Sequence, residues 1–235
     1  MIFDKILKTQ DHVLKLVDKN LKDNSIILLS YLNQHCYNIY SSNNEYKELM
    51  DSHFNVYIDG IGIYFTLKLL KFNNIERFNG TDLIEKIFEL YSEKKIKLYL
   101  LGGTFSQKFI HKKCNEKEVI LSGYHNGFFK EEDLPSLVED ITSSGAEVLV
   151  IGMGVPKQEV IAKKISKLTN LQIIHCVGGF FEFYFGKRRR VPKLLRTLGV
   201  EWVTRLLQEP KRLWIRYLVG IPVFTFRIIK MKFNK

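Results

Sequence analysis

Asp59 is the residue whose type and placement best suit proton transfer, because the apolar run Phe54-Asn-Val-Tyr-Ile58 ends on it and Gly60 and Gly62 follow. Open α/β sheets place ligands outside the carboxyl ends of their strands, and a carboxylate there can act as a general base. The same position also suits an N-cap for a helix over Ile61–Phe72, and residue chemistry alone leaves both roles open. A second stretch, Val148 to Glu159 (VLVIGMGVPKQE), passes from an apolar run to Gly152, Gly154, Pro156, Lys157, Gln158 and Glu159. It reads as a buried parallel strand, a sharp turn and a helix start with Pro156 in its first turn. Backbone N–H groups at such a start, with Lys157 beside them, can hold an anion such as a phosphate, although glycines also serve any strand-to-helix turn. The spacing is not GxGxxG, so a dinucleotide fingerprint is not supported.

Weaker candidates lie at other predicted strand ends. Asn33 and His35 follow the run Ser25–Leu32; His35 reads either as a catalyst or as a partly buried hydrogen-bonding histidine. In RFNGTD, Thr81 or Asp82 is expected to cap a helix from Leu83 to Tyr91, while Arg77 can reach a ligand phosphate. Gly102 and Gly103 end a further strand, and Gly178 another. HExxH, GxSxG and a Walker lysine are all absent, and Asp82 and Glu182 stand apart rather than forming a DxD pair. No metal ligand set is therefore expected.

The elements that must position these residues alternate. Strands are expected at 25–32, at 54–59, within KLYLLGG, VILSGY and VLVIGMG, and within QIIHCVGG, with helical segments between them. That alternation means a Rossmann-like, doubly wound, mostly parallel sheet, with the turns at Asp59, Gly102, Gly152 and Gly178 on one edge. A chain of 235 residues needs one sizeable core. Cys36, Cys114 and Cys176 are scattered, which argues against disulfides or structural zinc and for a reducing compartment. The amphipathic N-terminus contains acids and does not read as a signal peptide, so a cytoplasmic location is expected.

The net charge of +11 is concentrated at one end. From Lys187 onward, 14 Lys and Arg stand against Glu201 and Glu209, while the remaining 22 basic and 23 acidic residues nearly cancel. We divide the chain into a body, 1–190, and a basic helical appendage, 191–235. In the appendage Leu194, Leu195, Leu198, Val203, Leu206 and Leu207 suit short packed helices, and Arg205, Arg212 and Arg216 recur at spacings that allow a shared face despite Pro210. The apolar stretch Leu213–Ile229 is broken by Arg216, Pro222 and Arg227, which is too charged to span a bilayer. Trp214, Tyr217, Phe224 and Phe226 beside cations suit an interfacial helix on anionic lipid; docking on the body or on a second copy of the chain is the alternative. Nucleic-acid binding fits poorly because of the apolar run Leu218–Phe226, and an NAD(P)-dependent enzyme fits poorly for want of GxGxxG.

Together, Asp59-Gly60, Arg77-x-x-Gly80-x-Asp82, Gly102-Gly103, the Gly152–Glu159 run, Val177-Gly178-Gly179 and Glu201-Trp202-x-x-Arg205…Glu209-Pro210-x-Arg212 resemble the WecG/TagA/CpsF glycosyltransferases. The resemblance implies an inverting, metal-independent enzyme with no cofactor. It would move a sugar, N-acetylmannosamine-type or hexose, from a UDP-sugar to a polyprenyl-diphosphate-linked acceptor in cell-wall or surface-polysaccharide synthesis, peripheral at the inner face of the membrane. It also implies Asp59 as base, the Gly152–Glu159 loop with Gly102 and Gly103 at the nucleotide, and Arg205, Arg212 and Arg216 at the diphosphate. Two departures stand out: Tyr31-Leu32-Asn33 replaces a common Thr-x-Asn, and Phe181-Glu182 replaces a common Phe-Asp.

Overall fold

The computed structural model describes residues 2–23, 25–188, 191, 195–196 and 199–233; Leu194 and Leu198, expected in short helices, lie outside the described residues. The strands are β1 (Ile27–Leu32), β2 (Phe54–Ile58), β3 (Lys97–Gly102), β4 (Ile120–His125), β5 (Val148–Gly152) and β6 (Ile173–Cys176). They form one sheet in the order β2-β1-β6-β5-β3-β4, and every pairing among the described residues is parallel. Leu29, Leu32, Val56, Leu98, Leu100, Val148, Val150 and Ile174 are all buried, the near-continuous apolar pattern of strands covered on both faces.

Around the sheet run α1 (Gln10–Asn20), α2 (Gln34–Ser42), α3 (Asn44–His53), α4 (Ile61–Leu69), α5 (Gly80–Glu93), α6 (Gln107–Glu116), α7 (Leu134–Ser143), α8 (Lys157–Ser166) and α9 (Phe180–Tyr184). Right-handed crossovers put α2, α3, α7 and α8 on one face and α4, α5 and α6 on the other. The packing of α3 on α8 and of α1 on α5 agrees with that division. The tail continues as α10 (Glu201–Gln208), α11 (Pro210–Trp214), one π-helical turn (Ile215–Val219) and α12 (Gly220–Phe233).

One helix was not foreseen and another starts earlier than expected. The residues after Asn33 form α2, whose polar and aromatic composition gives little helical pattern; its start is fixed by the Asn33 side chain, which accepts from the N–H groups of His35 and Cys36 at 3.0 Å each. Helix α5 begins at Gly80 rather than Leu83, and its cap is Asn79, not Thr81 or Asp82.

Because the register is parallel and unbroken from β2 to β3, the carboxyl ends bring Asn33, Asp59, Gly178, Gly152 and Gly102 to one edge. At β3 and β5 the onward connections diverge, α6 leading to β4 and α8 leading to β6, which opens a crevice between the two strand ends. Gly102 and Gly152 are paired there, and a Cβ on Gly102, whose φ is +131°, would collide with the Gly152 carbonyl. Gly102→Ala is therefore expected to cost about 2 kcal/mol or more, from backbone strain added to a backbone clash. Urea unfolding measures it.

Candidate active site

Asp59 is held from two directions. Its Oδ1 accepts the Gly80 N–H at 3.0 Å and its Oδ2 accepts Asn33 Nδ2 at 3.1 Å. The N-cap of α4 is Gly60 with no side-chain capping bond, so the local capping role does not occur; the carboxylate instead faces the start of α5. Gly80 is required for that approach, since a Cβ there would lie 2.6 Å from Asp59 Oδ1.

Asp59 lies where two cavities meet. The larger, about 1060 Å³, runs outward between α4 and the tail. It is lined on one side by apolar side chains, among them Phe65 and Leu69 from α4 and Ile221, Phe224 and Ile228 from α12, and elsewhere by charged ones, among them Asp82, Glu85, Lys86 and Glu89 from α5. The smaller, about 70 Å³, is a polar pit floored by Tyr31, Tyr57, Thr81 and Gly179. Asn33, Asp59, Arg205 and Arg216 line both.

The two arginines reach this point through ties between tail and body. Glu201 accepts Asn79 Nδ2 on one oxygen at 2.6 Å and Arg205 Nε on the other at 2.8 Å, so the residue that caps α5 also anchors α10. Of the two, the Asn79–Glu201 bond crosses from body to tail, and a hydrogen bond to a charged group contributes about 1.5–3 kcal/mol; the Arg205–Glu201 bond lies within α10 and orients the guanidinium. Arg205 then stacks over the Phe183 ring at 4.9 Å. Farther along, Asn38 Nδ2 donates to the Gly220 carbonyl at 2.7 Å, Arg227 donates to the Asn38 carbonyl at 2.6 Å, and Phe224 meets the Tyr37 ring edge-on. Arg216 sits in the π-helical turn, a local distortion common at functional positions. Its Nε is buried and has no partner among the described residues. Leaving a buried donor unpaired costs about 1–3 kcal/mol, which an anion at this point would offset.

Other sequence candidates divide. Arg77 lines the larger cavity, as does Asp82, which pairs with Arg196. Arg212 does not join Arg205 and Arg216: Pro210 breaks the helix, and Arg212 turns outward to Glu209, mostly exposed. Lys157 departs from its expected anion role, because its ammonium donates to the Gly127 carbonyl at 3.2 Å and lies over Phe129, holding the loop after β4 against the β3–β5 crevice. Gln158 and Glu159 are fully buried behind the turns and line neither cavity. Gly154 and Gly178 aim their N–H groups inward at Gln158 Oε1, at 3.3 and 3.0 Å, rather than outward to a ligand. His35 lines neither cavity, and burial, followed by the Arg216 charge, pushes its pKa down to about 4, so it is neutral at pH 7. Among the described residues, no three His, Cys, Asp or Glu side chains gather as a metal-ligand group.

Sequence reasoning missed the apolar wall of α4 and the anchoring role of Glu201. The first had a faint signal in the clustering of Phe65 and Leu69; the second had a clear one in the i, i+4 spacing of Glu201 and Arg205.

The model of the glycosyl transferase WecG/TagA/CpsF family matches residues 3–235. The chain belongs to that family. It is thus a glycosyl transferase of cell-wall polysaccharide synthesis, which sets aside the nucleic-acid-binding and NAD(P)-dependent readings.

Removing the Asn33 side chain should affect the fold before it affects chemistry. Asn33→Ala is expected to lower stability by about 1 kcal/mol, the worth of an N-cap, whereas Asn33→Ser, which keeps a capping oxygen, loses a fraction of that. Chemical denaturation of both variants beside the parent chain checks it.

Proposed function

We propose that this transferase moves a sugar, N-acetylmannosamine-type or hexose, from a UDP-sugar to a polyprenyl-diphosphate-linked acceptor at a membrane surface, by direct displacement with inversion. The observation that carries the reading is the meeting of one carboxylate, Asp59, with two tail arginines, Arg205 and Arg216, at the junction of a large cleft with an apolar side and a small polar pit. Asp59 is the general base. Each of its oxygens accepts one protein hydrogen bond and keeps a lone-pair direction for the acceptor hydroxyl. As that hydroxyl attacks the anomeric carbon, its proton passes to Asp59 and the sugar–phosphate bond breaks, the electron pair leaving with UDP.

The donor's nucleotide suits the crevice at Gly102, Gly103 and Gly152. Three strand spacings separate β5 from β2, about 14 Å, a distance a nucleotide diphosphate sugar can cover between that crevice and Asp59. Arg205 and Arg216 neutralise diphosphate charge, and fixed cations in a site closed from water are usually the largest catalytic term. Arg77 can join them from the opposite wall.

The acceptor's prenyl chain suits the apolar slot between α4 and α12, which opens where the tail exposes Trp214, Ile215, Leu218 and Phe226. Lys211, Arg212, Lys230 and Lys232 are exposed on the same segment, a pairing of apolar and cationic groups suited to anionic lipid. No helix among the described residues is long and apolar enough to cross a membrane. We therefore read residues 191–235 as an appendage that tethers the enzyme to the membrane surface and completes the site of the body, 1–190.

The test is a panel of UDP-sugars assayed for UDP release with a short-chain polyprenyl-diphosphate glycoside in anionic vesicles. One donor is expected to give release that requires the acceptor; a panel with no release contradicts the reading. With the active donor, Asp59→Asn is expected to leave UDP binding within a few-fold of the parent and lower turnover by about 10²–10⁴, the range of a general base. Unchanged turnover would remove Asp59 from the mechanism.

A further inference from the structure

Behind the candidate site lies a buried polar chain that the proposed reaction does not use. Gln158 Oε1 accepts the N–H groups of Gly154, in the turn after β5, and Gly178, in the turn after β6. On its other side Gln158 Nε2 donates to Glu159 Oε1 at 2.8 Å, and Ser30 Oγ on β1 donates to the same oxygen at 2.9 Å. The amide has one workable orientation here: its oxygen must meet two N–H donors, so its nitrogen must meet the carboxylate. Glu159 therefore backs Gln158 in the one orientation that serves both turns, and Gln158 ties the two strand-end turns together.

The carboxyl group is poorly provided for as an anion. Glu159 is fully buried, and its Oε2 has no hydrogen-bond partner among the described residues. The groups facing it are Ser30 and Tyr31 from β1, Cys36 from α2, Tyr46 from α3 and Cys176 from β6. None is a cation. β5 supplies only apolar side chains and a glycine; His175 on β6 instead meets Tyr57 and is kept neutral by burial. The Lys163–His53 contact between α8 and α3 is exposed. Burial without a counter-charge pushes the Glu159 pKa up to about 7, against the opposing pull of hydrogen bonds from Gln158, Ser30 and its own backbone N–H.

We propose that Glu159 is a positioning residue that acts through Gln158, gripping the Gly154 and Gly178 turns when ionised and loosening them when protonated. Ionised, its oxygen makes charge-assisted bonds to Gln158 and Ser30, roughly twice as strong as neutral ones. Protonated, it loses that advantage. The turns beside the β3–β5 crevice would thus be firm or slack with the state of one buried proton. The inference stands on the fold and does not require the proposed reaction.

The sign for stability runs the other way. A carboxyl whose folded pKa is raised contributes stability below its unfolded pKa that is lost as pH rises through about 7. Glu159→Gln, which keeps the shape and an acceptor oxygen for Gln158 and Ser30, should lack that loss.

The test is two-dimensional NMR of the full chain labelled with ¹⁵N-glycine, titrated from pH 5.5 to 8.5. The Gly154 and Gly178 amides are expected to shift together with a common midpoint near 7, to be flat in Glu159→Gln, and to move to a midpoint about one unit higher in Ser30→Ala, which removes a hydrogen bond that favours the ionised form. Melting curves at pH 5.5 and 8 should show the parent losing more stability than Glu159→Gln between them. Glycine amides that do not titrate, or that titrate unchanged in Glu159→Gln, overturn the proposal; so does a Ser30→Ala midpoint equal to that of the parent.

Discussion

The Asp59 carboxylate depends on a close backbone approach, and much of the site depends on the carboxylate. It can receive the Gly80 N–H only because residue 80 has no side chain, and that contact fixes the start of α5 at the sheet edge. Asn79, one residue earlier, caps the same helix and is held by Glu201, which also holds Arg205. From β2 to the tail there is thus one chain of short polar contacts: Asp59 to Gly80, Asn79 to Glu201, Glu201 to Arg205. A half-buried acid and a half-buried guanidinium are costly when unpaired. Each is made tolerable here by the same helix start, which ties the geometry of the body to that of the appendage.

This linkage explains why a segment so apolar on its outer side is ordered against the body. Helix α12 packs on α2 through Phe224, Ile228 and the Asn38 contacts, yet leaves Phe226, Ile229 and Phe233 to solvent. A face of that kind rarely remains on a soluble surface without use. The cleft bordered by this helix leads to Arg205, Arg216 and Asp59 together, so the exposed face and the site share one segment of chain.

Much of this was legible in the sequence, and the reasons are particular. Apolar runs ending in Asp59, Gly102, Gly152 and Gly178 identify parallel strands and their ligand edge because burial on both faces removes polar alternation. Helix α2 was not legible: QHCYNIYSS has little helical period and is fixed by one asparagine and by tertiary burial of Tyr37 and Tyr40. The contacts of Lys157, Gln158 and Glu159 were not legible for a different reason. Residue type at a helix start suggests contact with an anion, but whether a side chain points into the crevice or behind it depends on the neighbouring turns, and those are brought together only by sheet order. Arg212 shows the same limit, since helical spacing placed it with Arg205 and Arg216 while Pro210 and Glu209 turned it away.

The central claim is that Asp59 of the body and Arg216 of the tail act as one unit on the transferred group. A double-mutant cycle on the transfer rate, comparing Asp59→Asn, Arg216→Gln and the pair, measures it most directly. Residues that work together on one transition state are strongly non-additive. The account predicts that the double variant is little slower than the slower single variant; losses that multiply would show two independent effects and contradict it.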